Sequence, residues 1–228
     1  MSYTLLIGNK NYSSWSLRPW LLMHAFGVPF TEERHVFDTP EFAAEIQSRK
    51  RSPNGKVPVL VDGEITVWDS LAISEHLAER HAGMWPTGAA ARAHARCACA
   101  EMHSGFQAVR NWMPMNVRRT YPIAVPREDV QKDIDRIQAL WTEARAKFGM
   151  DGVFLYGKFS VADAYFAPVV FRFNTYGVKC SPVAAEYVNA MLDHPSMQQW
   201  IADSAAEKEV VAHEEPEHLY AASSQSAP

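Results

Sequence analysis

The chain has 228 residues, 47% of them hydrophobic and 21% charged, a composition that supports a packed core and excludes a disordered or low-complexity polymer. Its 22 lysines and arginines stand against 26 acids, a net charge of -4, and the basic residues are scattered, so there is no electrostatic footprint for nucleic acid. No apolar stretch approaches the ~20 residues that span a bilayer, and the opening MSYTLLIGNKN has no basic segment followed by a long apolar one. A cytoplasmic protein with no nucleic-acid or membrane partner is expected.

Taken in chain order, the apolar run Tyr3 to Ile7, ended by Gly8, predicts a buried strand. Leu17, Leu21 and Ala25 then recur at helical spacing, and Gly27 with Pro29 supplies the stop. Phe30 to Phe37 reads as a second strand, followed by a weaker helix from Glu41 to Lys50. Val57 to Val61 is a third strand, Asp62-Gly63 a two-residue hairpin turn, and Ile65 to Trp68 the returning fourth. A helix from Asp69 or Ser70 to His81, with Ile73 and Leu77 inward, closes the unit. The order βαβ then ββα implies a mixed sheet with helices packed on it.

Pro86, Thr87 and Gly88 break this pattern, and the chain beyond them reads as helix. From Ala89 onward Met102, Phe106, Val109 and Met113 are spaced by four, three and four, one face of a long helix. Val130, Ile134, Ile137, Trp141, Ala144 and Phe148 repeat that alternation after Pro126, which suits a helix start. Ser160 to Phe173 and Val183 to Leu192 are further helices, and a short one starts at Ser196. The stretch beyond His213, rich in Glu, Ala and Ser, is expected to fray. The expected organisation is therefore a sheet domain over residues 1–82, an all-helical domain over 89–212 and a flexible tail over 213–228.

The odd cysteine count, Cys97, Cys99 and Cys180, argues against a disulfide framework, and the C-x-C pair reads as small apolar filler of a helix. Nine histidines are present, yet none falls into an H-E-x-x-H or paired Cys/His spacing, so no metal is expected.

Three short motifs carry chemistry. Ser13-Ser14-Trp15-Ser16 sits between the first strand and the first helix, where a serine either caps the helix, at about 1 kcal/mol, or joins the positive helix end in holding a thiolate. Val57-Pro58 opens the third strand and exposes the Val57 main chain. Only about 5–6% of X-Pro bonds are cis, so an ordinary trans proline at a strand start stands beside the cis alternative. Asp69-Ser70 either caps the next helix or binds the amino and carboxylate ends of an amino-acid-like ligand. Further on, Ser160-Val161-Ala162-Asp163 reads as a capping box with a folding role, and Pro168 should bend the helix it starts.

In their joint order, from Tyr3 to about Ile201 and most closely over residues 11–81, these motifs resemble the cytosolic glutathione transferase superfamily. Ser13-Ser14-Trp15-Ser16-Leu17-Arg18 is most similar to the zeta and related bacterial serine classes, with Trp15 standing where their double serine is followed by cysteine. The resemblance implies a thioredoxin-like N-terminal domain followed by an all-helical C-terminal domain, glutathione as co-substrate, and a homodimer. It implies that Ser13 contacts the thiol with Ser14 in reserve. It also implies that Val57 pairs its backbone with the cysteinyl part beside a cis-Pro58, and that Asp69 and Ser70 hold the γ-glutamyl end. Lys56 is near enough to assist the peptide's carboxylates, and Arg49, Lys50 and Arg51 are open candidates for the glycine carboxylate.

An electrophile pocket is expected between the domains, lined by Tyr12 and Trp15 and by the helix carrying His103, Phe106, Arg110, Trp112, Met113 and Met115, with Arg110, Arg118 and Arg119 attracting an anionic co-substrate. The alternative is that the Met and aromatic stripe is core and the arginines a solvated face. Arg172 is out of register with the arginine that recognises acidic isomerase substrates in the family. The expected activity is addition of the glutathione thiolate to small electrophiles, as in detoxification. The alternatives are a glutathione-dependent maleylacetoacetate-type isomerase and a non-catalytic association module. A serine hydrolase is disfavoured because no G-x-S-x-G elbow is present.

Overall fold

The computed structural model describes residues 3–123, 125–217 and 220. Strand β1 (Tyr3–Ile7) lies inside a four-stranded sheet of order β2-β1-β3-β4. It runs parallel to β2 (Phe30–Arg34) and antiparallel to β3 (Val59–Asp62), which turns through Gly63 into β4 (Ile65–Trp68). Gly63 has φ +61, the left-handed conformation that this tight turn requires and glycine tolerates.

Because successive strand residues face opposite sides, β1 is apolar wherever both faces are covered, with the half-buried Thr4 near its start as the exception. Leu5 and Ile7 face the main core with α1 (Ser14–Ala25) and α3 (Ser70–Ala78). Leu6 joins Val59, Phe42 and Ile46 beneath the other face. The weak helix expected over 41–50 is a single α turn, α2 (Pro40–Phe42), running into a π turn at Ala43–Gln47.

The helical half comprises α4 (Ala89–Ser104), α5 (Gln107–Trp112), α6 (Glu128–Phe148), α7 (Val161–Tyr176), α8 (Pro182–Leu192) and α9 (Pro195–Ala206). The single long helix expected from Ala89 is broken. Gly105 is extended and Phe106 takes φ +58, so the chain turns between α4 and α5 while the apolar spacing continues across the break. Helix α7 is almost wholly buried and packs on α1 and α4, which joins the two halves through one core. Its start carries the expected box, with the Asp163 carboxylate accepting the Ser160 amide at 2.9 Å.

Within the stretch expected as a tail, Glu215, Pro216 and Tyr220 contact the body, while His213 and Glu217 are exposed. Tyr12 donates to Glu215, Arg119 pairs with Glu215 at 2.9 Å, and Tyr220 donates to the Trp112 carbonyl at 2.6 Å. The rest of the expected tail, residues 218, 219 and 221–228, lies outside the described residues. Among the described residues no helix is long and apolar enough to cross a membrane.

Candidate functional site

The loop after β1 is tightened by the Tyr12 and Ser13 amides, both of which donate to the Asn9 carbonyl. Its outer amides, Lys10 and Asn11, donate to the two carboxylate oxygens of Glu207 at 2.7 and 3.1 Å. The loop delivers Ser13 and Ser14 to the N-terminus of α1, both buried at the rim of a cleft. Ser13 does not cap the helix with its side chain. Its hydroxyl donates to Ser16 Oγ at 2.7 Å, and Ser16 Oγ also accepts the Gly8 amide at 3.1 Å. With no side-chain acceptor on them, the first-turn amides of α1 give this corner a positive potential.

The cleft has a volume of about 690 Å³ and lies between the sheet half and the helical half. Tyr12, Ser13, Ser14, Trp15, Phe37, Gln47, Lys56 and Val57 line one side, Gln107, Arg110, Asn111, Pro114, Met115 and Arg172 the other, with Asp38, His213 and Glu214 also on its wall. A hollow of about 210 Å³ shares Trp15, Lys56 and Val57 with it and adds Asn54, Pro58, Asp69 and Ser70. The residues expected to hold glutathione are thus brought to one groove. The Val57-Pro58 bond is cis.

Asp69 takes φ +74, and its carboxylate caps α3 by accepting the Leu71 and Ala72 amides at 2.8 and 3.4 Å. Its other oxygen lies 3.4 Å from His103 Nε2. Ser70 is buried with its hydroxyl 3.0 Å from the Tyr165 hydroxyl, which is 3.0 Å from His103 Nδ1. Burial holds the His103 imidazole below its ordinary pKa, against the pull of Asp69. His103 therefore ties α4 to the Asp69-Ser70 turn and does not line the electrophile side as expected.

Trp15 meets His103 edge-on, and the guanidiniums of Arg18 and Arg110 lie over its ring at 4.3 and 4.8 Å. Arg18 is fully buried and also stacks on Tyr165 at 4.4 Å, while its two terminal nitrogens find no partner among the described residues. Burial lowers its pKa.

Of the remaining residues expected on the electrophile wall, Phe106 and Met113 are core, because the turn at residues 105–106 rotates α5 away from the line α4 sets. Trp112 sits under the Arg127 guanidinium at 4.2 Å, outside the cleft lining. Arg118 and Arg119 do not reach the cleft either. Arg118 donates to the Glu207 and Glu209 carbonyls and to Tyr12, and Arg119 is held by Glu215. Lys50 pairs with Glu45 and Arg51 with Glu33, so the groove is met by Gln47 and Lys56 instead. Cys99 is buried as expected of filler, whereas Cys97 is exposed. Among the described residues no group of His, Cys, Asp and Glu side chains converges on a metal position.

Sequence reasoning missed Ser16, hidden in a cap-like serine run, and the cleft-lining Gln47, Asn111 and Glu214. It named Arg172 only as misregistered. The available signal was an arginine inside the apolar helix 161–176, where a buried charge needs a reason.

Residues 12–80 match the family model for the glutathione S-transferase N-terminal domain. Over 67 residues the chain is 45% identical to dichloromethane dehalogenase of Methylorubrum extorquens, a match covering 28% of this chain and 23% of that protein, so the chain spans about a quarter of that relative's length. Over 178 residues it is 22% identical to a stringent starvation protein A homolog of Pasteurella multocida, covering 74% and 78%. The structure of a Burkholderia glutathione transferase homolog with bound glutathione superposes with a TM-score of 0.66 at 22% identity, over 91% of this chain and 100% of that one. Residues 12–80 thus match the N-terminal domain of that family, and the chain shares the fold of glutathione transferase structures over 91% of its length.

Proposed function

We propose that the protein is a glutathione transferase in which the Ser13 hydroxyl donates a hydrogen bond to the glutathione thiolate. The observation that carries this reading is the convergence of Ser13, the amide end of α1 with no side-chain cap, the Val57 main chain and the Asp69-Ser70 turn on one groove.

A cysteine-like thiol with pKa near 8.5 is only about 3% ionised at pH 7. Lowering it by ~2 units takes about 2.7 kcal/mol. One charge-assisted hydrogen bond of about 1.5–3 kcal/mol and a helix end of about 0.3–1 supply that without a base. Ser13 is a donor throughout and never the nucleophile, with Ser14 as the second hydroxyl at the same rim. Val57 aligns the cysteinyl backbone, Asp69 and Ser70 take the γ-glutamyl end, and Lys56 with Gln47 faces the peptide's remaining carboxylate. The test is the pH dependence of conjugation and of thiolate ultraviolet absorbance in Ser13→Ala and Ser14→Ala. An upward shift in either supports the reading, and unmoved profiles in both overturn it.

The same thiolate would serve cis-trans isomerisation of a maleyl diacid, the zeta-like reading. Assay on maleylacetone against a chloronitroaromatic separates the two. One observation favours a non-catalytic module for protein association: a relative aligned over most of the chain is a stringent starvation protein A homolog and not a transferase by name. That reading requires negligible glutathione affinity by calorimetry. A cytoplasmic homodimer belongs to the transferase reading by resemblance, and light scattering tests the stoichiometry.

A further inference from the structure

The helical wall of the cleft carries two guanidiniums whose N–H groups are met by neutral oxygens. Arg172, only 4% exposed, donates Nε to the Met113 carbonyl at 2.7 Å and Nη1 to the Pro168 carbonyl at 3.3 Å. Arg110 donates Nε to the Gly105 carbonyl at 2.9 Å and Nη2 to the Met102 carbonyl. Carbonyls satisfy N–H groups but leave the net charge uncompensated. Among the described residues neither arginine, nor Arg18 beneath Trp15, has a carboxylate at ion-pair distance. Asp133, the acid nearest in effect to Arg110, is engaged by the Val109 amide, and Glu214 acts on Arg172 only at longer range.

Burial first and repulsion from the buried Arg18 second press the two arginines down, Arg110 to about 9 and Arg172 to about 10. Holding cations out of water without a counter-ion is unfavourable, and side chains needed only for packing here would be apolar. An anion entering the cleft offsets that penalty at both positions. With the tripeptide along Val57 and Asp69, the opposite wall with Arg110 and Arg172 is left for the second substrate. The acids on the cleft wall, Asp38 and Glu214, repel an anion, so a ligand carrying one is favoured with its charge on the arginines and its other end toward Ser13.

We infer that Arg110 and Arg172 bind the carboxylate of the electrophile, and that the second substrate of this site is a small α,β-unsaturated carboxylic acid. The inference rests on the glutathione reading above. The thiolate sulfur forms a bond to the β-carbon, the C=C π pair moves onto the α-carbon and carboxylate, and the α-carbon takes from solvent the proton that the thiol released on binding. Atoms and charge balance with no oxidant. Negative charge grows on the carboxylate in the transition state, where two prepositioned guanidiniums stabilise it.

The test compares monomethyl fumarate with dimethyl fumarate in the full-length protein with glutathione, each rate normalised to its uncatalysed reaction. The acid-to-ester ratio of kcat/KM is expected to exceed the uncatalysed ratio by about 10- to 100-fold, the worth of one charge-assisted hydrogen bond. Arg172→Met and Arg110→Met should each collapse that ratio, while Arg172→Lys retains part of it. Calorimetry of monomethyl succinate with protein carrying S-methylglutathione should show binding that both methionine variants lose. If Arg172→Met fails to fold, Arg110→Met, on a different helix, decides. A wild-type ratio no greater than the uncatalysed one, or a ratio that survives in the methionine variants, overturns the inference. A protein that binds no glutathione fails the preceding reading instead, and monomethyl succinate titrated into the free protein then judges the arginines.

Discussion

The hydroxyl oxygens of Ser13 and Ser16 stand 2.7 Å apart, and the Gly8 amide points at the second of them from 3.1 Å. Ser13 has one proton. When it is given to a thiolate, the Ser13 oxygen must itself accept, and the hydroxyl within reach is that of Ser16, which the Gly8 amide polarises. Ser16→Ala is therefore expected to raise the pKa of the bound glutathione thiol by about half to one unit, about 0.7–1.4 kcal/mol. kcat/KM should fall near neutral pH and recover at alkaline pH. In a Ser13→Ala background the same change should do nothing further, and thiolate absorbance against pH in the four proteins checks this.

Asp69 caps α3 and faces the groove proposed for glutathione, and one substitution separates the two roles. Asparagine keeps a capping oxygen and tolerates the positive φ, so Asp69→Asn should stay within about 0.5 kcal/mol of the parent in urea unfolding. Without the charge, its hold on the γ-glutamyl ammonium should weaken by about tenfold or more in calorimetry. An affinity equal to the parent's would reduce Asp69 to a cap.

Arg18 sets stability against activity. Its buried guanidinium stacks between Trp15 and Tyr165 but satisfies only Nε, on the Tyr165 carbonyl. Arg18→Met, similar in volume, is expected to raise unfolding free energy by about 1–2 kcal/mol by removing an unpaired buried charge. It should lower kcat/KM by loosening Trp15 on the cleft wall. A fall in both quantities would mean that the stack is a net source of stability.

Three histidines link folding to pH. Burial, the leading cause at each, depresses His35, His103 and His194 below the ordinary value of 6.5 in the folded state. The unfolded chain then binds their protons first. Stability is accordingly level above about pH 6.5 and lost as pH falls through that value toward the folded pKa values. His35, whose ring nitrogens have no hydrogen-bond partner, is the clearest case. Urea unfolding at about pH 7.5 and about pH 5.5 should show the loss, and His35→Phe should reduce it.

Much of the sheet half was legible because its signals are local, a largely apolar β1 and a glycine between two apolar runs. The turn nevertheless falls one residue later than expected, on Gly63-Glu64 with Asp62 still paired to Ile65. Strand β3 begins at Val59 and not Val57, because the cis-Pro58 has no amide to give a ladder. The helix break at residues 105–106 was not, because Met102, Phe106, Val109 and Met113 keep a helical period across it and the positive φ falls on a phenylalanine. Gly105 marks the spot only in three dimensions, where a Cβ would stand 2.8 Å from the Glu101 carbonyl. That Ser13, Val57, Asp69 and Ser70 belong near one another was legible in the order of their motifs, and they line two adjoining hollows that share Val57. Arg110 and Arg172 acquire meaning from the company they lack, which no spacing encodes. The segment beyond 206 looked featureless because its anchors, Glu207 and Glu215, pair with residues near the N-terminus.

Glu207 gives the molecule an order of events. Its carboxylate closes the amides of Lys10 and Asn11 just ahead of the serines. During translation the serines leave the ribosome early, yet the acceptor that steadies their loop is synthesised nearly two hundred positions later. A nascent first half can pair its strands, but its serine loop stays unbraced until the far end of α9 has emerged and folded back.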